Sequence, residues 1–373
     1  MIEAQFYKKL KPPLTPLLGK ERNSQTVVCE LCCHYCHIKN QAVGICSVRK
    51  NINGQLYSLV YGQPAAINID PIEKKPLFHF QPGSFTFSFG TLGCNFKCAN
   101  CQNWEISQAA NTIPLTLPAR ASQWQANPFI KRDEKIKSPY PPLLKGVNSI
   151  VEQALESGCA SIAYTYNEPT VFAEYALDIM KIAKKNNLKN VWVSNGYMSE
   201  SCLEAIVPYL NAINVDVKSM DEKFYRETCG AKLKPVLNNL INLKKANVHL
   251  EITTLVVPKL SDDPAMLKEL ASFIVQELGS DTPWHISKFS PDISWKLRDA
   301  PATLEKTIFQ AHEIGKKAGL KYVYVGNVYN SDKENTYCPN CGQLAIKRLG
   351  YNTTRYDNNG NCQECGQNLD LVA

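Results

Sequence analysis

The sequence predicts an α/β fold: a parallel sheet of repeated strand–helix units, curled as a partial or full barrel, with a small cysteine-rich metal-binding module at each end. Three observations carry this. From Val147 onward, apolar runs of strand length alternate with stretches of helical spacing. Polar residues recur just past the carboxyl ends of those strands, where βα barrels collect their chemistry. The 15 cysteines fall into three groups, with Cys159, Cys202 and Cys229 left over as small core residues.

Composition sets the frame. A chain of 373 residues, 44% hydrophobic and 20% charged, can build one large domain plus smaller modules. The formal charge of +7 is too mild to point to nucleic acid. No apolar run approaches the ~18 residues needed to span a membrane. The basic start is interrupted by Pro12, Pro13 and Pro16, which breaks any signal-peptide core. A cytoplasmic protein without a membrane partner is expected. Its thiols are then reduced, and their spacings read as metal sites.

The elements follow in order. After an N-terminal extension over 1–28, residues 29–65 form a first metal module. Cys29 and Cys32 make one knuckle, and Cys36 with Cys46 supplies a second pair. Zinc suits thiolates that close so short a segment, with a second iron–sulfur cluster as the alternative. Cys33, His34 and His37 are surplus candidates. The barrel spans 66–330. It begins with Asn68–Phe80, a charged, proline-bounded stretch that can simply be a solvated linker. Phe85-Thr86-Phe87-Ser88-Phe89 alternates as a strand with its rings on one face.

Next comes Gly93-Cys94-Asn95-Phe96-Lys97-Cys98-Ala99-Asn100-Cys101, a Cys-x3-Cys-x2-Cys group with no fourth cysteine close by. A closed zinc site needs four ligands, so a compact three fits it poorly. A [4Fe–4S] cluster takes one thiolate per iron, and three on one loop leave an iron open for something that is not protein. Residues 111–144, rich in prolines and charges, are expected as an irregular insertion beside the active site. Helices are predicted over 147–157, 200–210, 221–229, 235–246, 263–278 and 303–317, with another carried by Phe172, Ala176, Ile179 and Ala183. Strands are predicted over 161–166, 189–194, 212–217, 248–256, 284–289 and 321–325. In the last module, 331–373, Cys338-x2-Cys341 and Cys362-x2-Cys365 give a zinc-ribbon pattern, with a rubredoxin-type iron site as runner-up.

The strand ends carry the candidate site. After the first strand stand Cys94, Cys98 and Cys101; after the second, Asn167 and Glu168; after the third, Ser194 and Asn195. The fourth places Asp216 and Lys218 on one face, the sixth carries His285, and the last ends at Gly326-Asn327. These are read as parts of one cofactor-binding site.

The cysteine spacing is the signature of radical S-adenosylmethionine (SAM) enzymes. The whole chain resembles the radical SAM enzyme of the AmmeMemoRadiSam system, itself similar to pyruvate formate-lyase activating enzymes. The resemblance rests on Cys29-Glu30-Leu31-Cys32, Asp70-Pro71-Ile72-Glu73-Lys74-Lys75-Pro76-Leu77, the Cys94 loop, Tyr164-Thr165-Tyr166-Asn167-Glu168-Pro169-Thr170, Cys229-Gly230-Ala231 and Pro283-Trp284-His285. It implies a partial (βα)6-type TIM barrel, a SAM-bound [4Fe–4S] cluster and hydrogen abstraction from a substrate. It places the SAM amino group near Asn167-Glu168-Pro169, with Lys218, Ser194 and Asn195 as further contacts. An electron donor such as flavodoxin or ferredoxin, and the partner proteins of that system, are the implied partners. A glycyl-radical activase is the alternative within this chemistry. A metal-clipped protein- or nucleic-acid-binding module is the alternative of another class, and an open three-thiolate site has no use in such a scaffold.

Overall fold

Strands whose odd and even residues differ in character must build a sheet with two unlike faces, and this chain does so along eight strands. The structure, a computed structural model, describes residues 1–10, 25–108, 146–329 and 331–373. The insertion expected over 111–144 lies outside the described residues.

The central strands are β1 (Ala66–Pro71), β2 (Phe85–Gly90), β3 (Ser161–Tyr164), β4 (Lys189–Ser194), β5 (Ala212–Asp216), β6 (His249–Val256), β7 (Trp284–Lys288) and β8 (Val323–Gly326). They lie side by side in chain order; β2 to β8 are parallel, and β1 pairs antiparallel with β2 along the edge. The helices between successive parallel strands are α1 (Val147–Glu156), α2 (Ala173–Lys185), α3 (Glu200–Ile206), α4 (Leu233–Lys245), α5 (Pro264–Phe273) and α6 (Glu305–Ala318). Right-handed crossovers between consecutive neighbours put every helix on the same face.

That face is apolar. Phe87, Phe89, Ile162, Tyr164, Trp192, Ile213, Val215, Leu250, Ile252, Trp284, Ile286, Val323 and Val325 meet the helices in one core. The alternate residues are small or polar: Thr86, Ser88, Ser161, Ala163, Asn214, Glu251 and Thr253, all buried. A parallel sheet covered on both sides by helices would be apolar on both. Here one face is reserved for polar groups.

The stretch over Asn68–Phe80, which taken alone could be a solvated linker, does two jobs. Its first half is strand β1, which tolerates Pro71 because an edge strand can end on a residue with no N–H to donate. Its second half crosses the helix-free face. Ile72, Leu77 and Phe80 pack on Ala163, Val191 and Ala212. Pro76 O accepts from Asn214 Nδ2 at 2.7 Å, and the backbone N–H groups of Phe78 and His79 donate to Glu251 at 3.0 and 2.8 Å.

Element boundaries depart from the sequence reading where a local cause exists. The helix expected over 200–210 gives way to a 3-10 turn at Val207–Tyr209, where Pro208 has no N–H to continue it. The segments Tyr225–Cys229 and Ile274–Leu278 widen into π-turns. The first ends on Gly230, held at φ +70°. At the amino end, Ile2–Glu3 pairs with Gln55–Ser58, so the strands of the first module begin before residue 29. No helix among the described residues is long and apolar enough to cross a membrane.

Candidate active site and metal centres

Strand β2 ends at Gly90, where a Cβ would collide with Thr165 O and Asn167 Oδ1. The missing side chain lets Asn167 reach under the cysteine loop. Its Oδ1 accepts from Thr91 N at 3.0 Å and its Nδ2 donates to Gly93 O at 2.7 Å. From the other side, Lys97 N and Ala99 N donate to Cys229 O and Thr228 O at 2.8 and 3.0 Å, so the π-turn has a use. Lys296 N and Trp295 N donate to Ala99 O and Cys101 O at 2.8 and 3.1 Å. The loop of Cys94, Cys98 and Cys101 is thus fixed by three other loops at the carboxyl ends of the strands.

Around it the strand-end residues form a connected shell. Asn195 Nδ2 donates to Asn95 Oδ1 at 2.8 Å, and Asn195 N donates to Glu168 Oε2 at 2.7 Å. Glu168 Oε1 accepts from Ser194 Oγ at 2.8 Å, Thr170 Oγ1 at 2.6 Å and Thr170 N at 3.1 Å. Burial pushes the Glu168 carboxyl above its usual range, against the pull of those donors. Lys218 Nζ pairs with Asp216 at 3.0 Å. Burial pulls Lys218 down, but Asp216, Cys98 and Cys229 outweigh it and leave the ammonium well above an ordinary lysine. Asn167, Glu168, Ser194, Asn195, Asp216 and Lys218 therefore gather at the cysteine loop, as expected.

His285 does not join them. It stands second in β7 and its Nε2 meets Glu251 Oε2 at 2.7 Å, while its ring packs on Phe78 and Tyr324. His249 meets the other Glu251 oxygen at 2.9 Å. The reason is register: Glu251 and His285 lie toward the starts of their strands, where the helix-free face is closed by Phe78–His79 and the C-terminal module. Arg348 of that module donates to Phe78 O at 2.8 Å, with its guanidinium 4.1 Å from the Phe78 ring centroid.

Two groups escaped the sequence reading. Cys229, expected as a core thiol, is buried, and its carbonyl accepts from Lys97 N of the cysteine loop at 2.8 Å. Asp70 accepts from Lys75 Nζ at 2.6 Å, Lys74 Nζ at 2.8 Å and Tyr166 Oη at 2.6 Å, so a buried ion pair near the start of β2 is tied through Tyr166 to the residues of the site. Burial draws Lys75 down to about 8 despite Asp70. Tyr166 reaches this position through a left-handed backbone, φ +70°. The stretch around Asp70 is a block of the family resemblance, but its repeated lysines and Asp-Pro step say nothing of the pairing.

The donor set fits a thiophilic metal group with a polar ligand. Cys98 is buried, Cys94 and Cys101 are half-buried, and burial first of all pushes the Cys94 thiol up, so bound metal is what would hold it as thiolate. Buried polar atoms without a partner among the described residues include Asn95 Nδ2 and Asn100 Oδ1 in the loop, and Asn214 Oδ1 and Thr253 Oγ1 on the helix-free face.

The terminal cysteines sort differently. Cys338, Cys341, Cys362 and Cys365 offer sulfurs all within 4.8 Å of one another, with Sγ–Sγ contacts of 3.6 Å for Cys338–Cys365 and Cys341–Cys362. In the first module the surplus candidates are taken: Cys33 Sγ bonds Met198 O at 3.1 Å and His34 Nε2 meets Asn95 O at 2.8 Å, while His37 is exposed. Cys29, Cys32, Cys36 and Cys46 line one hollow, which His34 also borders.

Residues 89–271 match the Radical SAM superfamily. The chain is 39% identical to a Methanocaldococcus jannaschii protein, named as uncharacterized, over 100% of both chains. It is 23% identical to the pyruvate formate-lyase-activating enzyme of Clostridium pasteurianum, over 59% of this chain and 85% of that one. Among solved structures, a radical SAM methyltransferase from Sphaerobacter thermophilus aligns with a TM-score of 0.46 at 13% identity, covering 71% of each chain.

Proposed function

The chain belongs to the Radical SAM superfamily, and from that premise we propose that Cys94, Cys98 and Cys101 hold a [4Fe–4S] cluster whose open iron takes SAM. The protein is an enzyme with SAM as substrate and a need for an electron donor. The observation that carries the reading is the cysteine loop seated among strand-end residues that bond to it directly. Held by Cys94, Cys98 and Cys101, such a cluster would supply the electron for reductive cleavage of SAM and so for hydrogen abstraction from a substrate.

The residues prepare that site. Asn167 sets the entry of the loop, and the Thr228–Cys229 and Trp295–Lys296 backbones set its exit. Glu168 Oε1 is filled by three donors, but Oε2 carries one and keeps a lone pair that an ammonium could use. Lys218 and Asp216 place one charge of each sign beside Cys98. The consecutive strand order, with all crossovers on one face, supports a partial barrel whose helix-free face is the substrate chamber. The C-terminal four thiols have the spacing of a tetrahedral zinc site, where metal–sulfur bonds of about 2.3 Å put sulfurs about 3.8 Å apart. Membership of the AmmeMemoRadiSam system rests on the sequence blocks named above, and a cytoplasmic location on the reduced thiols such sites need.

The test is the product made from SAM by anaerobically reconstituted, reduced protein. 5′-Deoxyadenosine and methionine should form, and replacing Cys94, Cys98 or Cys101 by Ala should abolish them. Reductive cleavage by the triple-Ala protein would sink the reading. A second reading, activation of a glycyl-radical enzyme, is favoured by relatives named as activating enzymes. It requires a glycyl radical on a partner protein, which electron paramagnetic resonance would detect.

A further inference from the structure

We propose that Cys29, Cys32, Cys36 and Cys46 hold a second iron–sulfur cluster, packed against the central cysteine loop, and that electrons enter through it. The chain contains its own yardstick for the choice of metal group. A single tetrahedral ion needs its sulfurs about 3.8 Å apart, and the C-terminal four meet that spacing. Among the described residues no other set of three or more Cys, His, Asp or Glu ligand atoms comes within 4.8 Å. The central three and the first-module four are both wider than one ion allows. Width is what a cluster requires, because each thiolate binds a different iron.

The space between the four sulfurs is prepared for an acceptor-rich guest. Arg49 and Asn95 line the same hollow. Arg49 is 1% exposed and uses Nη1 on Glu174 at 2.8 Å, but its Nε and Nη2 have no acceptor among the described residues. Asn95 Nδ2 is buried and equally unpartnered. Cluster sulfides and thiolates would receive the two free Arg49 donors, while Glu174 pairs with the guanidinium charge.

The two sites share a wall one residue thick. Asn95 belongs to the central loop, between Cys94 and Phe96, and its carbonyl meets His34 of the first module at 2.8 Å. A Cβ on Gly93 would stand 2.7 Å from Cys46 O, so the loop runs directly against a ligand's own backbone. One electron from a low-potential one-electron donor protein reduces the outer site and then passes to the central one. The outer site returns to its oxidised state, with one electron in, one out, and no proton moved. This role rests on the radical SAM reading; the outer site itself does not.

The test uses full-length chain reconstituted anaerobically with iron and sulfide. With Cys94, Cys98 and Cys101 all changed to Ala, the chain should keep about four irons and four sulfides, half of the cluster iron of the unaltered protein. Cys46→Ser, which leaves the central loop intact, should halve it from the other side. On full reduction the unaltered protein should give a paramagnetic signal broadened by the neighbouring spin, and each variant a narrow one. A triple variant that is folded by circular dichroism yet holds zinc and no iron, or a Cys46→Ser protein with undiminished iron, overturns the second cluster. Two narrow, additive signals in the unaltered protein overturn its role as the electron entry. Iron content of the triple variant reports only on the outer site, whereas SAM cleavage by Cys46→Ser protein under a small chemical reductant reports on the central reading.

Discussion

At Glu168 the carboxylate takes hydrogens from Thr170, Ser194 and Asn195 in a buried setting. Glu168→Gln turns an acceptor oxygen into an NH2 that faces donors, at a cost of about 1–3 kcal/mol. The melting temperature of the SAM-free protein should therefore fall, and SAM affinity should drop roughly ten- to hundredfold with the lost charge-assisted bond. An unmoved melting temperature would mean that this network is absent in solution. Asn167→Ala should act on stability and on cluster retention together, since it frees Thr91 N and Gly93 O at the loop entry. Sequence had marked both residues, because Asn-Glu-Pro after a buried strand announces a helix start. It had no means of showing that Asn167 spends both ends of its amide on the cysteine loop. That depends on Gly90 leaving room, a contact across 76–77 residues of chain.

At the scale of elements, the C-terminal module is a cover as well as a metal knot. Its Val372 N donates to His79 O at 2.8 Å, and Thr336 bonds the Tyr324 hydroxyl at 2.8 Å. Truncation before Tyr337 should release one equivalent of metal and leave the iron of the 94–101 loop in place. It should also lower the melting temperature, by uncovering Phe78, Tyr322 and Tyr324. Metal loss with no thermal effect would show the contacts to be idle. Beneath this cover His79 is wholly buried, and burial pushes it down to about 3. The unfolded chain takes up that proton below about 6.5, whereas the folded chain resists until about 3. Its stability contribution is thus complete above 6.5 and is lost as pH falls, by about 2 kcal/mol at pH 5. Comparing melting temperatures from pH 7 to 5 should show a shallower fall in His79→Gln, and equal slopes would refute it. The alternation of helices and strands was readable because each βα unit carries its own period. The placement of His285 was not, because which end of a strand a residue occupies depends on register with neighbours.

At the scale of the molecule, the buried Asp70–Lys75 pair joins the edge strand, the closed end of the chamber and Tyr166. Asp70→Asn leaves the lysine buried without a counter-charge, which should cost about 3–5 kcal/mol in a denaturant titration. A loss below about 1 kcal/mol would place the pair in water instead. The Asp70-Pro71-Ile72-Glu73-Lys74-Lys75 stretch read as solvated because composition reports charge and is silent on pairing. The three-cysteine loop needed no such help, since three thiolates in eight residues have few uses. The parallel α/β sheet and the family were legible; the polar, helix-free face was half legible, in the Thr, Ser and Asn residues that alternate with the apolar ones.

The first module pairs its own short strands, but it docks on chain that lies far ahead of it. Leu31 O accepts from Ser199 N, Cys33 bonds Met198, and Arg49 bonds Glu174, across 125–168 residues of chain. During synthesis its five cysteines emerge while that docking surface is still unmade. At about 5–20 residues per second, the exposed thiols wait on the order of ten seconds or more. If the first hollow holds the group proposed above, biogenesis has an order imposed by geometry: that group is delivered to a nascent segment or admitted after the sheet closes over it. Slowing the ribosome between codons 50 and 200 should change the metal that the finished protein carries without changing one residue of it.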